Sequence, residues 1–344
     1  MSKFLSIILR IIPLAMGAFT LVFGLATLPY QADLLPARVL IALTAICIAL
    51  YCTAATIIRQ LIGKFTPFFK WFLPILGYCC AAADIVVGIV IFSVGHAAVD
   101  TVSGNVMMGV GMIAACVSTV AATSTRFVQI SINYTHKIGE PNPQAWTPGQ
   151  TRALVAVPTV MTVCGLAWGI VMLCLPSVPY QIAGHVLMGL SLVCLSLIWL
   201  VVVIAQQINN VFRTKNKWRF SRWVIANGIA CIVWGIFTPL IDHNPKFITP
   251  GFVLIGLGLI CISISSKVLL LTWVWHFQTD SAHYVVLLPI GTCLVCLFMS
   301  VVLFSVGVRD PSCVMAGYIM SGLGAVCFTL YSIVSILESG TEAA

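Results

Sequence analysis

Asp84 is a charged residue in the middle of a long apolar stretch of sequence, 71–95, where a charge is costly. An ionised carboxylate near the centre of a bilayer costs at least about 2.5 kcal/mol. A titratable group at that depth predicts a proton or cation site. The alternative is a protonated Asp84 that forms a hydrogen bond to a neighbouring helix and has only a structural role.

Lys267 lies inside a second apolar stretch, 250–276, next to two serines. Together with Ser263 and Ser266, its side chain could line a polar path for a solute or an ion. The alternative is that the lysine extends toward the nearer membrane surface, as long cationic side chains close to helix ends do.

Polar and aromatic residues of differing chemistry follow the first small residue of several apolar stretches: Arg38, Asn105, His185 and Tyr318, with Phe252 as the fifth member. One interpretation is a ring at the outer mouth of a pore, in which His185 responds to periplasmic acid. The other is an interfacial belt of amphipathic side chains with no gating role.

The elements that position these residues are membrane-spanning helices. Of 344 residues, 60% are hydrophobic and only 8% are charged, a composition that a water-facing surface cannot carry. Ten stretches have about the 20 apolar residues that a spanning helix requires: 11–29, 37–58, 71–95, 104–125, 153–175, 182–207, 222–241, 250–276, 284–307 and 314–337. We therefore predict an all-α polytopic membrane protein with a single transmembrane domain, 1–344, and one long loop, 127–151.

The even-numbered stretches share small residues at intervals of five positions. The sets are Ala37, Ala42 and Cys47; Gly104, Gly109 and Ala114; Gly184, Gly189 and Cys194; Gly251, Gly256 and Cys261; and Gly317, Gly322 and Cys327. They predict five two-helix repeats, at about 1–62, 63–128, 150–212, 216–276 and 280–340.

Each predicted repeat crosses the membrane twice, so all copies enter it in the same direction and are related by rotation about the membrane normal. We expect a pseudo-fivefold ring or arc, with the even helices packed at the centre through their small residues and the odd helices outside. The alternative is that the small residues mark only generic close packing, without a ring.

Basic residues are concentrated on one side of the predicted topology, which carries 13 of the 17 lysines and arginines. By the positive-inside rule, both termini are expected to be cytoplasmic. The loop before the seventh stretch has the densest cluster, Arg213, Lys215, Lys217, Arg219 and Arg222, and anionic lipid headgroups are its expected partners. This distribution between spans argues against nucleic acid as a partner.

The motifs of common enzyme classes are absent from the sequence. We find no phosphate loop, no metal-binding His-Glu pair, no nucleophile elbow and no dinucleotide fingerprint, so we expect neither catalysis nor a cofactor. The 14 cysteines lie mostly within the apolar stretches without metal-ligand spacing, as small packing residues do.

Two functions remain. One is a channel or transporter-like pore for a small solute or ion, and the other is a non-conducting scaffold or sensor that binds lipid or a protein partner. A continuous polar path favours the pore, whereas an inner bundle packed dry by leucine, methionine and valine favours the scaffold.

Several uninterrupted blocks, 111–122, 183–187, 322–330 and 335–338, resemble the YhiM-like family of bacterial inner-membrane proteins. The resemblance runs over the full chain and includes the pair Ser266 and Lys267. It implies about ten spans, the bacterial inner membrane and a link to survival at low pH, with no established molecular activity. The family has Gly-His in more than one repeat. At the position that follows the first small residue of each even stretch, only Gly184-His185 retains it here, with Arg38 and Asn105 in other repeats, which argues against a ring of histidines.

Overall fold

The computed structural model describes residues 3–30, 34–126, 145–209, 211, 218–242, 245–277, 282–307 and 311–342, and all regular secondary structure among them is helical. The helices are α1 (Lys3–Thr27), α2 (Leu34–Leu61), α3 (Pro67–Val94), α4 (Ala98–Ser124), α5 (Pro148–Cys174), α6 (Val178–Ile208), α7 (Arg219–Asp242), α8 (Ile248–Phe277), α9 (Ala282–Gly307) and α10 (Pro311–Glu342). A short 3₁₀ helix, Pro245–Phe247, precedes α8.

Nine of these helices, α2 to α10, are long and apolar enough to cross a membrane, within the part of the chain that the structure describes. They coincide with nine of the ten predicted stretches. The remaining helix, α1, has a shorter apolar segment, Ile11–Thr27. The all-helical, multi-span membrane fold predicted from composition is therefore confirmed.

The helix α5 begins inside the predicted loop 127–151. Thr147 caps it: the Gln150 amide donates to Thr147 Oγ1 at 3.3 Å, and the Thr147 amide donates to Gln150 Oε1 at 3.2 Å. Pro148 occupies the first turn, where its missing N–H leaves no hydrogen bond unmade. The loop therefore ends before Thr147, and its portion 127–144 lies outside the described residues.

Each odd helix packs most extensively against the even helix that follows it, so every predicted repeat contains one helical hairpin. The even helices also contact one another, in the order α2, α4, α6, α8, α10 and back to α2. Each odd helix additionally contacts the even helix of the preceding hairpin, and α1 contacts α10. The even helices are thus surrounded by the odd ones.

Within each hairpin, a small residue of the odd helix lies against the first small residue of the even helix. The pairs are Gly24 with Ala37, Gly88 with Gly104, Gly169 with Gly184, Gly235 with Gly251 and Ser300 with Gly317. In the last pair, Ser300 Oγ donates to the Gly317 carbonyl at 2.8 Å. In the glycine pairs the two backbones approach so closely that no side chain fits between them.

Alanine in place of Gly104 is expected to lower the free energy of unfolding by about 1–3 kcal/mol, as overpacking does. A methyl group there would lie 2.8 Å from the Gly88 carbonyl oxygen and from the Phe92 amide nitrogen, and backbone atoms cannot rotate away. The control is Gly291→Ala on α9, where nothing lies within 4 Å of the added group. Thermal unfolding in detergent measures both; equal stability of the two variants would contradict the observed hairpin packing.

Neighbouring even helices contact one another through the central small residues. A side chain at Gly322 would meet Leu40 and Leu43 of α2, each at 2.7 Å. The other pairs follow the same plan: Gly109 faces Leu187 and Leu190, Gly189 faces Leu254 and Leu257, and Gly256 faces Met320 and Leu323. The contact between α10 and α2 therefore resembles those of α4 with α6, α6 with α8 and α8 with α10: a central glycine of one helix faces two large apolar side chains of the next.

Glutamines strengthen two of these contacts near the ends of the even helices. Gln60 Nε2 donates to the Ser124 carbonyl at 2.9 Å, and Gln207 Nε2 donates to the Leu271 carbonyl. We call the end of the bundle where α1 begins and α10 ends the terminal face, and the other end the opposite face. Both glutamines lie at the terminal face.

Large apolar side chains of the odd helices point away from the bundle. Trp71 of α3 and Phe298 of α9 are each 69% exposed, and Val22 of α1 is 64% exposed. Such a surface is unfavourable in water and is typical of contact with lipid acyl chains. The bilayer is therefore the environment of these helices.

Candidate functional site

An elongated cavity lies between the five even helices. It is narrow, with a cavity volume of about 30 Å³, and one face of each even helix lines it. A second cavity of about 20 Å³ shares three lining residues with the first, Val120, Leu200 and Lys267, and extends toward the terminal face. We call the two together the axial cavity.

The lining residues recur at equal offsets from the first small residue of each helix, 2, 6, 9, 13, 16 and 20 positions later. We call each set of five a layer. Layers one to four are Val39, Val106, Val186, Val253 and Ile319; Leu43, Val110, Leu190, Leu257 and Leu323; Ile46, Ile113, Val193, Ile260 and Val326; and Leu50, Val117, Leu197, Ile264 and Leu330. Layers five and six are Thr53, Val120, Leu200, Lys267 and Ile333; and Ile57, Ser124, Ile204, Leu271 and Leu337.

The first four layers are entirely aliphatic, so no continuous polar path runs along the axis. Successive layers are three or four residues apart, or about one turn of 5.4 Å. Hydrophobic constrictions of this kind close channels by excluding water. Polar atoms enter only at layers five and six, through Thr53, Lys267 and Ser124.

Lys267 belongs to the axial cavity, but the two serines predicted to act with it do not. Ser263 lies 2.5 Å, oxygen to oxygen, from Thr292 of α9, on the outer side of α8. Ser266 Oγ donates to the Ser263 carbonyl at 2.6 Å. Neither serine lines the axial cavity. The three residues therefore do not form one polar path.

The residues predicted to form a mouth ring each contact a neighbouring helix instead. Arg38 donates to Asp100 Oδ1 at 2.6 Å, Trp168 donates to Asn105 Oδ1 at 2.8 Å, Trp234 donates to His185 Nδ1 at 2.9 Å, and the ring of Tyr318 lies 5.3 Å from that of Phe23. All four contacts join one hairpin to the next. None of the four predicted residues lines the axial cavity, because each lies about 100° around the helix from layer one.

Replacing Trp168 by Phe is expected to lower the free energy of unfolding by about 1–3 kcal/mol, because it leaves a buried acceptor without its donor. Asn105 is fully buried, and its Nδ2 already donates to the Thr101 carbonyl. Trp234→Phe removes the same kind of hydrogen bond from His185. Because His185 is only half-buried, the free energy of unfolding should fall by less. Thermal unfolding in detergent compares the two. The double variant Trp168→Phe, Asn105→Leu should be more stable than Trp168→Phe alone. If it is not, the unpaired side-chain carbonyl of Asn105 is not the cause of the lost stability.

Asp84 lies on α3, outside the even helices, and does not line the axial cavity. Its Oδ2 is buried and has no hydrogen-bond partner among the described residues. Two residues at the corresponding position of other hairpins are hydrogen-bonded: Thr20 Oγ1 lies 3.1 Å from Thr44 Oγ1, and Cys231 Sγ donates to the Leu254 carbonyl at 3.2 Å. If Asp84 had a purely structural role, its carboxyl group would form a hydrogen bond to a neighbouring helix. Within the described part of the chain, Oδ2 forms none.

The basic cluster is only partly described. Arg213, Lys215 and Lys217 lie outside the described residues, whereas Arg219 and Arg222 begin α7 with exposed side chains. All 14 cysteines are described and free, and ten are buried.

Three kinds of residue in this region escaped sequence reasoning. The aliphatic layers were not singled out, although Val, Leu and Ile recur there at one offset in all five even helices. The contacts that Phe23, Trp168 and Trp234 make with the next hairpin were also not predicted; each of the three directly precedes the small residue of its odd helix. The pairing of Gln60 and Gln207 with the next even helix has no sequence signal beyond their shared offset.

The comparisons with known proteins agree with this architecture. The family described as a protein of unknown function, DUF2776, matches residues 1–342. The inner membrane protein YhiM of Escherichia coli strain K12 is 38% identical over 347 residues, covering 99% of this chain and 99% of the relative. No solved structure matches significantly. The chain therefore belongs to the DUF2776 family.

Proposed function

We propose that this chain forms a pore for a small solute or ion in the bacterial inner membrane, with its pathway along the axial cavity. The observation that carries the proposal is that one face of every even helix lines a single elongated cavity. Small residues hold these helices together on their other faces, so the cavity is not a gap left by poor packing. No catalytic role is proposed.

The proposed pore has ten spanning helices in five hairpins, related by rotation about the membrane normal. The recurring contacts support this: each hairpin uses the same pair of small positions, and Gly322 meets Leu40 and Leu43 as Gly189 meets Leu254 and Leu257. The name of the Escherichia coli relative supports a location in the inner membrane.

Both termini are proposed to be cytoplasmic, so the terminal face is the cytoplasmic one. Among the described residues, Arg59, Lys64, Lys70, Arg152 and Arg222 lie at that face. Anionic lipid headgroups are the proposed partners of Arg219 and Arg222, because both side chains are exposed at the start of a spanning helix.

Reconstitution into proteoliposomes tests the pore. Flux of protons, small ions and small acids is measured at neutral and acidic pH, since the family resemblance suggests a role at low pH. We expect flux above that of protein-free liposomes in at least one condition, because opening requires only that the aliphatic layers separate enough to admit water. No flux of any of these species in either condition would reject the pore.

A non-conducting scaffold is the second candidate, and the aliphatic lining favours it. Four successive layers contain only Val, Leu and Ile, as in a packed core. In a scaffold, a polar residue introduced into these layers would lower stability without allowing flux, which separates the two candidates.

A further inference from the structure

We propose that the axial pathway selects small inorganic anions through the ammonium group of Lys267, an inference that rests on the pore proposed above. Lys267 is the one charged residue among those that line the axial cavity. It is 3% exposed and lies where the two parts of the cavity meet, so a permeating ion would pass it.

The side chain of Lys267 is enclosed and does not extend to the membrane surface. Its helix continues ten residues further, to Phe277, which is about 15 Å along the axis. Layer six, with Ile204 and Leu271, covers it on the terminal side. The burial and the covering layer together exclude the surface-directed lysine that sequence alone left open.

No negative charge compensates Lys267 within the described part of the protein. The residues that line the axial cavity include no carboxylate. Lys267 also has no hydrogen-bond or ion-pair partner among the described residues, whereas Arg38 pairs with Asp100 at the opposite face. A buried ammonium without a counter-charge is strongly unfavourable, and an anion in the cavity would supply that charge.

The chemistry of the lining restricts the anion to a small one. The hydroxyl of Thr53 donates to the Ala49 carbonyl at 3.1 Å, and that of Ser124 donates to the Val120 carbonyl at 2.7 Å. Their protons are therefore directed to their own helices, and the ammonium is the remaining donor of the lining side chains. Phosphates and carboxylates are bound by several donors at once. A single donor fits a monovalent anion such as chloride or nitrate, held weakly enough to be conducted.

Reversal potentials in planar bilayers under a potassium chloride gradient test the inference. The measurements are made in the double variant Leu197→Ser, Leu330→Ser, which we call the open background, because its layer four is polar and its pathway is expected to conduct. We expect chloride to be at least about ten times more permeant than potassium, since one unit charge at close range has at least that effect. Lys267→Met should reduce the ratio to about one, Lys267→Arg should keep it, and Lys267→Glu should favour potassium.

Lys64→Met is the matched control, because Lys64 is an exposed lysine at the same face and should leave the ratio unchanged. An anion preference that persists in both Lys267→Met and Lys267→Glu would overturn the anion site and leave the pore intact. Absence of current from both the wild type and the open background would overturn the pore itself, and the anion site with it.

Discussion

Serine in place of Leu197 and Leu330 is expected to raise ion flux by about 10- to 100-fold for each leucine replaced. Both residues belong to layer four and are 3% exposed. Burying or removing one leucine side chain changes the free energy by about 1.5–3 kcal/mol. If the barrier to ion passage is the free energy needed to wet this layer, lowering the barrier by that amount raises the rate by about 10- to 100-fold.

The measurement is efflux of a fluorescence-quenching anion and of potassium from proteoliposomes that contain each variant. Leu294→Ser is the matched control, because Leu294 is a leucine of a spanning helix with 61% exposure and faces away from the bundle. It should leave flux unchanged. A drop in thermal stability of the layer-four variants without any leak would support the scaffold instead.

The helices can be predicted from the sequence because the bilayer imposes one strong requirement on them, a minimum length of apolar residues. Every spanning segment needs about 20 apolar residues, and charged or Pro-rich breaks separate these segments. The contact partners of the small residues also follow their spacing. Gly104 faces Gly88 within its hairpin, and Gly109, five residues later and about 140° around the helix, faces the next even helix.

The direction of the lining face was harder to predict. In a soluble bundle, an apolar stripe marks the inside, but here lipid and cavity are both apolar, so a single helix has no amphipathic signal. Val39 on the cavity and Val22 toward lipid are indistinguishable by residue type. Only the comparison of the five even helices identifies the lining face, since in layers one to four the same offset is aliphatic in every one of them.

The predicted mouth ring illustrates the same difficulty. Arg38 and Val39 are adjacent in sequence, but one pairs with Asp100 of the next hairpin and the other lines the axial cavity. A rotation of 100° separates them. Sequence alone could not decide which residue faces the axis, because that depends on how far each even helix is rotated about its own axis by its small-residue contacts.

Alanine in place of Asp84 is expected to raise the free energy of unfolding by about 1–3 kcal/mol, because the carboxyl group is costly at this depth. Its Oδ2 is buried without a partner among the described residues. Asp100→Ala is the matched control on the same hairpin, and it should lower stability, since Asp100 pairs with Arg38 at 2.6 Å. Thermal unfolding in detergent measures both changes.

The sign of the Asp84→Ala effect distinguishes the two interpretations of this residue. Loss of stability would mean that Asp84 is a structural hydrogen-bonding group after all. A gain in stability together with loss of flux at acidic pH would assign Asp84 a role in proton or cation binding, retained at a cost to the fold. A more stable variant with unchanged flux would remove Asp84 from the functional residues and leave Lys267 as the charged group on the pathway.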